Sequence, residues 1–133
     1  MTRRDSHPPL PKPTDAELAI LQVLWESGPG TVRAVHDSLS KQRDLGYTTV
    51  LKLLQIMAEK GLVERDESQR SHVYRAKLPR EQTQKQLVGD LLSKAFGGSA
   101  SRLVMSALSH TPASREELAR IRRLLDDMEG GRS

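Results

Sequence analysis

The sequence predicts a mostly α-helical protein with one short β-hairpin. Apolar residues recur at the three- and four-residue spacing of amphipathic helices along most of the chain. These residues are aliphatic rather than aromatic, since 36% of the chain is hydrophobic and only 3% is aromatic. A single stretch after residue 61 changes to β-branched and aromatic residues that alternate with charged ones. A chain of 133 residues has room for one domain, or for one domain with an appendage.

The charge of the chain is basic overall but uneven along its length. The formal net charge is +4, which favours an anionic partner only where basic side chains are clustered. Residues 1–13 and 80–133 each carry an excess of two positive charges, whereas residues 14–79 hold nine basic and nine acidic residues. A basic surface in this central segment therefore requires a particular arrangement of its side chains.

Composition excludes several classes of protein. The sequence has no Cys, which excludes disulfides, thiol redox sensing and cysteine-ligated metals. No apolar run approaches the length of a membrane span, and the first residues lack the apolar core of a signal peptide, so we expect a cytoplasmic protein without membrane insertion. The four His residues have no metal-spaced partners, and no phosphate loop or activated nucleophile occurs. We therefore expect neither an enzyme nor a catalytic residue, metal or cofactor.

Three helices are predicted in the first half of the chain. Residues 1–13, with four Pro and three basic residues, should instead form a disordered arm, which alternatively contacts DNA phosphate or the minor groove. Thr14 and Glu17 form a capping box that starts the first helix, and the Gly- and Pro-rich segment 27–30 ends it. Thr31 caps a second, shorter helix. The predicted inward positions are Leu18, Ile20, Leu21, Leu24 and Trp25 in the first helix and Val32, Val35 and Leu39 in the second.

The third predicted helix, residues 46–61, has two different faces. One side is apolar and should pack against the core. The other side is polar and suits a DNA major groove, because Lys meets phosphate or guanine, Gln pairs with adenine, and a Thr methyl touches the methyl of thymine. The same residue types also occur on helices that merely cover a core. The packing face comprises Val50, Leu54, Met57 and Ala58, and the presented face comprises Thr48, Lys52, Gln55 and Glu59.

A β-hairpin is predicted directly after the third helix. Gly61 ends that helix in a left-handed conformation. Residues 62–67 and 72–76 alternate as short antiparallel strands do, and Arg70 lies in the polar turn between them. Three helices followed by a two-stranded ribbon is the order of a winged helix-turn-helix, whose third helix enters the major groove while the ribbon contacts the neighbouring backbone. The sequence therefore predicts a winged helix DNA-binding domain over residues 14–78.

The remaining chain predicts a helical dimerisation domain over residues 79–129, with a flexible tail at residues 130–133. Three amphipathic helices are expected, separated by the break at residues 97–99 and by a second capping box at Ser114 and Glu117. Three short helices cannot easily bury all of their apolar stripes alone, so a two-fold dimer is favoured; the alternative is a tail folded back on the winged helix. The predicted dimerisation residues are Leu87, Leu91, Leu92, Phe96, Leu103, Val104, Leu118, Ile121 and Leu125.

Four segments carry recognisable strings: residues 17–25, 32–39, 47–63 and 70–74. The most specific string is Tyr-Thr-Thr-Val from Tyr47, together with the Lys-Gly-Leu-Val that closes the same segment. These segments resemble the penicillinase-repressor (BlaI/MecI) family of bacterial transcriptional repressors, from residue 14 to residue 128. The resemblance implies a homodimer with an N-terminal DNA-binding domain and a C-terminal dimerisation domain, which represses by occupying an inverted-repeat operator.

The resemblance also bears on regulation. In that family a membrane sensor-protease that responds to β-lactams often leads to cleavage of the repressor before the second helix of its dimerisation domain, which corresponds here to residues 96–102. The Asn-Phe pair typical of the staphylococcal members does not occur there, a departure that leaves the signal and the cut position open. The chain also lacks the Cys-rich motif of the copper-responsive branch, so copper sensing of that kind is not implied.

The leading hypothesis is therefore a dimeric repressor that binds double-stranded DNA at a palindromic operator. The alternative is a winged-helix protein-interaction module without sequence-specific DNA binding, which the neutral charge of residues 14–79 favours. Contacts to phosphate position a protein on DNA, whereas contacts to base edges specify the sequence. Base reading is assigned to Thr48, Thr49, Lys52 and Gln55, and phosphate contact to Tyr47 and Arg70.

Overall fold

The computed structural model describes residues 11–130, and within them it confirms a mostly α-helical fold with a winged helix. The arm predicted at residues 1–13 and the tail predicted at residues 130–133 lie outside this range, apart from residues 11–13 and Gly130. The elements in chain order are α1 (Asp15–Ser27), β1 (Gly30–Thr31), α2 (Val32–Leu39), α3 (Tyr47–Lys60), β2 (Val63–Asp66), β3 (Val73–Ala76), α4 (Arg80–Ala95), α5 (Ala100–His110) and α6 (Arg115–Gly130).

Side-chain and glycine caps fix the ends of the first three helices, as the sequence predicts. At the start of α1, the Glu17 backbone N–H donates to Thr14 Oγ1 (3.2 Å) and the Thr14 N–H donates to Glu17 Oε1 (2.9 Å). Thr31 Oγ1 accepts from the Ala34 N–H at 3.1 Å and so caps α2. Gly61 ends α3 with φ 84°, in the left-handed region that favours glycine. Local chemistry therefore sets where these helices begin and end.

One hydrophobic core joins α1, α2, α3 and the sheet. Each helix contributes side chains at helical spacing, and the sheet contributes the inward side of its two longer strands. The packing face of α3 is confirmed, because Val50, Leu54 and Met57 are fully buried. Trp25, predicted to point inward, is half-buried at the edge of the core, where its indole Nε1 donates to the Leu78 carbonyl (3.2 Å). The buried core residues are Ile20, Leu21, Leu24, Val32, Val35, Leu39, Val50, Leu54, Met57, Leu62, Val63 and Tyr74.

The sheet has one strand more than the predicted hairpin. Strands β2 and β3 form that hairpin, with Arg65 opposite Tyr74 in antiparallel register. The two-residue strand β1 pairs with the other edge of β3, which places Gly30 opposite Tyr74 and gives the order β1-β3-β2. A strand of two residues is too short to show an alternating pattern, and its pairing depends on a distant strand. The additional strand ties the start of α2 to the hairpin.

A buried ion pair connects the start of α1 with the end of α3. The Lys60 ammonium lies 2.6 Å from Glu17 Oε1, and the Glu17 side chain is only 3% exposed whereas that of Lys60 is 33% exposed. Burial raises the pKa of Glu17, but the hydrogen bonds from Lys60 and from the Thr14 backbone outweigh it and hold the pKa below its ordinary value. Glu17 is therefore a capping and pairing residue, and its negative charge is neutralised inside the winged helix.

The chain divides into two compact units within α4, between Val88 and Gly89. The second unit contains the end of α4, α5 and α6. Gly97 (φ 56°) and Gly98 (φ 82°) form the predicted break between α4 and α5. The second predicted capping box is also confirmed, since the Glu117 N–H donates to Ser114 Oγ at 3.1 Å.

The apolar side chains of the second unit are half-buried or exposed within the single chain. None of its described residues is buried, and α5 and α6 each contain no buried residue. Val104 and Leu125 have 48% and 54% of their surfaces exposed. Across the described residues, none of the helices has both the length and the apolar character needed to cross a membrane.

Candidate nucleic-acid interface

Helix α3 presents a polar face to solvent while its opposite face is buried in the core. Four of the residues assigned to DNA contact are exposed on this face: Thr48, Thr49, Lys52 and Gln55. The burial of Val50, Leu54 and Met57 fixes the rotation of the helix, and so determines which side chains point outward. This exposed face carries cationic, amide and hydroxyl groups on a rigid element. Glu59, on the last turn of the same face, is also exposed.

Side chains of α2 hold the first residue of α3. The Tyr47 ring is 42% exposed, and the Arg33 guanidinium carbon lies 5.5 Å from its centroid, within the range of a cation–π contact. The His36 ring meets Tyr47 edge-on, with centroids 6.1 Å apart and an interplanar angle of 67°. Tyr47 therefore has a defined orientation beside a cation, and part of the residue remains exposed.

A groove of about 430 Å³ runs between the start of α2, the exposed side of α3 and the hairpin. Its walls bring together Tyr47, Gln55 and Arg70 from among the predicted DNA contacts. Thr48, Thr49 and Lys52 do not line the groove and lie on the exposed face of α3 instead. The predicted contacts therefore divide into a groove set and a helix-face set.

The groove also contains residues that the sequence analysis did not assign. Arg33, Arg65 and Tyr74 all line it. Strand alternation could have found Arg65, because it lies two residues after the buried Val63 and so points to the same side of the sheet. No local pattern indicates Arg33, whose place in the groove depends on how α2 packs against α3.

The two faces of the hairpin carry different arginine pairs. On the groove side, Arg65 Nη2 lies 2.5 Å from Glu67 Oε2, and contact with the Tyr74 hydroxyl and with Glu67 raises the pKa of Arg65. On the other side, Arg75 Nη2 lies 2.9 Å from Glu64 Oε1. The hairpin thus holds two exposed Arg–Glu pairs of similar chemistry, of which only one faces the groove.

The turn of the hairpin begins with a fixed side-chain contact. The Ser68 backbone N–H donates to Asp66 Oδ1 at 2.9 Å, and this bond lowers the pKa of Asp66. An aspartate that accepts from a backbone N–H two residues ahead is typical of a tight turn. Arg70 follows within this turn and is exposed, so its guanidinium is available at the outer end of the groove.

Basic and neutral residues line the groove, although the winged helix as a whole holds equal numbers of basic and acidic residues. No acidic residue is among the described residues that line the groove, whereas Arg33, Arg65 and Arg70 all do so. Glu17 is already paired with Lys60 elsewhere in the unit. Arginine clusters and helix-borne amide and ammonium groups are the donors that bind phosphate and base edges. This arrangement suits a nucleic-acid backbone that passes beside α3.

Comparison with protein families decides the identity of the chain. The sequence profile described as penicillinase repressor matches residues 13–127. The chain belongs to the penicillinase repressor family. This membership confirms the resemblance noted in the sequence and places the chain among transcriptional repressors rather than enzymes.

Relatives of this penicillinase-repressor family member span most of its length. It is 38% identical over 120 residues to the transcriptional regulator BlaI of Mycobacterium tuberculosis, covering 88% of this chain and 85% of the relative. It is 22% identical over 118 residues to the penicillinase repressor of Bacillus licheniformis, covering 89% and 92% of the two chains.

Solved structures with similarity to the family member include the DNA-binding domain of the repressor BlaI in solution. That domain matches with a TM-score of 0.49 and 25% identity, over 54% of this chain and 88% of the domain. A Bacillus licheniformis BlaI monomer in complex with the blaP half-operator also matches with a TM-score of 0.49 and 25% identity, over 55% of this chain and 89% of that one.

Proposed function

We propose that the chain is a homodimeric transcriptional repressor that binds double-stranded DNA at an inverted-repeat operator through α3 and the β2–β3 hairpin. The observation that carries this proposal is the exposed polar face of α3, which stands beside a groove with three arginines and no acidic lining residue among those described. Membership of a repressor family supports the same conclusion. The proposal requires α3 to lie in a major groove, where a helix can read base edges.

Each exposed side chain of α3 has a role in this proposal. Lys52 contacts guanine or a nearby phosphate, and Gln55 pairs with adenine through its amide. Thr48 and Thr49, on the first turn, offer a hydroxyl for hydrogen bonds and a methyl for thymine. Tyr47 and Arg70 contact phosphates at the edges of the groove and set the register of the helix. Glu59 lies on the same face four residues beyond Gln55, farther from the start of the helix, and is assigned no contact with DNA.

Substitution of Lys52 by Ala tests base reading. On an operator duplex selected with the wild-type protein from a random library, Lys52→Ala should weaken binding by about 1–3 kcal/mol and relax the preference at one base position. Arg70→Ala should instead weaken binding to all duplexes alike, because a phosphate contact carries no sequence information. Lys77→Ala removes the same charge at the far end of β3 and is the control for Lys52→Ala. Unchanged operator binding in both Lys52→Ala and Arg70→Ala, measured by gel shift, would contradict the assignment.

Dimerisation is assigned to the second unit together with Leu87, which lies just before it on α4. The helices of this unit expose about half of several apolar side chains in the single chain, among them Leu91 (47%), Val104 (48%) and Leu125 (54%). A soluble monomer rarely leaves such side chains exposed together, and a two-fold partner buries the same patch from both chains. The residues proposed to form the dimer contact are Leu87, Leu91, Leu92, Phe96, Leu103, Val104, Leu118, Ile121 and Leu125.

Relief of repression is assigned to proteolysis between α4 and α5 by a membrane sensor-protease. Residues 97–98 are exposed and form a non-helical turn, and an exposed turn between two helices is more accessible to a protease than the helices themselves. A cut there separates the DNA-binding unit from α5 and α6. Mass spectrometry of the repressor recovered from cells treated with a β-lactam should show an N-terminal fragment that ends within residues 96–102. Recovery of only intact chain from cells in which the repressed gene is induced would contradict this route.

The second candidate function is a winged-helix module that binds another protein. The equal number of basic and acidic residues over residues 14–79 favours it. Retention on DNA that decreases steeply with salt distinguishes the two, because binding to phosphates releases counterions. The three arginines that line the groove, of which Arg65 is paired with Glu67, support the DNA-binding candidate.

A further inference from the structure

The groove beside α3 contains a buried hydroxyl without a well-aligned partner. Tyr74 is 1% exposed, and no described residue completes a good hydrogen bond with its Oη. A buried hydroxyl normally finds a partner, because leaving it without one costs free energy. Tyr74 lines the groove, so this residue borders the space that a ligand would occupy.

Arg65 is the cation closest to this hydroxyl in the strand register. It stands directly opposite Tyr74 in the β2–β3 pair, and contact between the two raises the pKa of Arg65. Its Nη2 atom lies 2.5 Å from Glu67 Oε2 and forms an ion pair with it. Both members of this ion pair are substantially exposed, at 37% and 54% of their side chains, so the pair is weak and can exchange. Arg65 is therefore held between a buried neutral acceptor and an exposed carboxylate.

The surroundings of Arg65 favour an anion. Arg33 and Arg70 also line the groove, together with His72, and no carboxylate does so among the described residues. Arginine binds phosphate with two parallel N–H donors, and it does so best when its plane is already fixed. A phosphate that displaces Glu67 leaves the rest of the guanidinium free to bond with Tyr74 Oη.

We propose that this groove holds one phosphate of the DNA backbone, with Arg65 as the contacting cation and Tyr74 as the residue that positions it. The inference rests on the proposed function and adds contacts to it. In the free protein Glu67 draws the guanidinium of Arg65, so that its contact with Tyr74 Oη is poorly aligned. On DNA the phosphate replaces Glu67, and Arg65 completes the hydrogen bond with the hydroxyl. Tyr74 acts through Arg65 and does not itself need to touch DNA.

The continuity of the groove with α3 supports a DNA phosphate rather than a free one. Tyr47 and Gln55 line the groove and also belong to the side of α3 assigned to DNA. A strand whose bases face Lys52 and Gln55 therefore carries its backbone along the groove. Inorganic phosphate offers the same chemistry but gains nothing from α3, so it should bind much more weakly than a duplex.

The Tyr74→Phe variant distinguishes a role in positioning Arg65 from a role in folding. The change keeps the buried ring and removes only the hydroxyl, so the melting temperature should stay the same or rise, because the hydroxyl that is removed lacks a well-aligned partner. Affinity for duplexes of any sequence should nevertheless fall by about five- to tenfold. In an Arg65→Gln background the same change should have no further effect on affinity. A purely structural role for Tyr74 would lower the melting temperature and would act equally in both backgrounds.

Matched substitutions on the other face of the hairpin supply the controls. Arg65→Gln should weaken binding by about tenfold and reduce the salt dependence by about one counterion. Arg75→Gln removes an equally charged residue that is also paired with a Glu. This variant should change neither the binding affinity nor its salt dependence. Glu67→Gln should strengthen binding because it frees Arg65, whereas Glu64→Gln should not. A common response of both arginine variants would show a general charge effect and overturn the proposal.

The binding measurements use full-length dimer and a fixed duplex of arbitrary sequence, read by fluorescence anisotropy across a salt series. If the wild-type chain binds no duplex, the proposed function itself fails, and this inference fails with it. If the wild type binds but Tyr74→Phe and Arg65→Gln bind equally well, only this inference is overturned. Inorganic phosphate is titrated into the complex of protein and duplex, and chloride of matched ionic strength is the control. Suppose that phosphate displaces the duplex from the wild-type protein, while the Arg65→Gln variant still binds DNA normally. These two results together would assign the groove to free phosphate and overturn the DNA assignment.

Discussion

Leu125→Asp should convert the dimer to a monomer and reduce operator affinity by about 100-fold or more. The reduction follows because two linked half-sites bind far more tightly than either alone. Leu125 lies on the apolar side of α6 and is 54% exposed in the single chain, so the carboxylate is tolerated in a monomer. In the proposed interface it would be buried without a partner, which is strongly unfavourable. Sedimentation equilibrium gives the mass, and binding to whole and half operators gives the affinities.

Arg123→Asp is the control for this experiment. It introduces the same carboxylate on the same helix, about 200° around its axis from Leu125, where solvent remains. Its mass should stay that of a dimer. Affinity of Leu125→Asp for a single half-site should equal that of the wild type, since the winged helix is unchanged. A Leu125→Asp chain that is still dimeric at the concentrations used for binding would contradict the proposed interface.

Leu54→Ala should destabilise the winged helix by about 2–5 kcal/mol. Leu54 is fully buried on the packing face of α3, and truncation leaves a cavity between that helix and the core. A loss of this size is a large part of the stability of a small domain, which is about 5–15 kcal/mol. Urea unfolding followed by the fluorescence of Trp25, the only Trp in the chain, reports this unit, at fixed protein concentration because dimerisation contributes to stability.

Ile56→Ala provides the comparison for Leu54→Ala. Ile56 is two residues away on the same helix but is 37% exposed, so its truncation removes less buried surface and leaves no enclosed cavity. We expect a much smaller loss in its free energy of unfolding. Equal losses for the two variants would mean that α3 packs with a different rotation, and the assignment of its exposed face would then be wrong.

Local chemistry made much of the fold predictable from the sequence. The capping boxes at Thr14 and Ser114 involve residues three positions apart, so their patterns are visible in the chain itself and the structure contains both. The buried face of α3 follows from helical spacing in the same way. These features depend on neighbours in sequence, which is why pattern alone locates them.

Features that depend on distant residues could not be predicted. Strand β1 forms only because Gly30 and Thr31 pair with β3, more than forty residues later. The groove likewise combines Arg33 from α2 with Arg65 and Tyr74 from the sheet. The grouping of three arginines at one groove, in a segment of balanced composition, arises from this packing. The sequence therefore predicted that α3 contacts DNA bases, but it did not predict the arginine-lined groove beside this helix.

The most direct test of base reading by α3 is NMR of the isotope-labelled dimer with the selected operator duplex and with a scrambled duplex of equal length. We expect the amide chemical shifts of Thr48, Thr49, Lys52 and Gln55 to change most, and these changes to differ between the two duplexes. Arg70 in the hairpin should respond to both duplexes, as a phosphate contact does. The same changes in α3 with both duplexes, or the largest changes on α1, would contradict the claim that this face reads sequence.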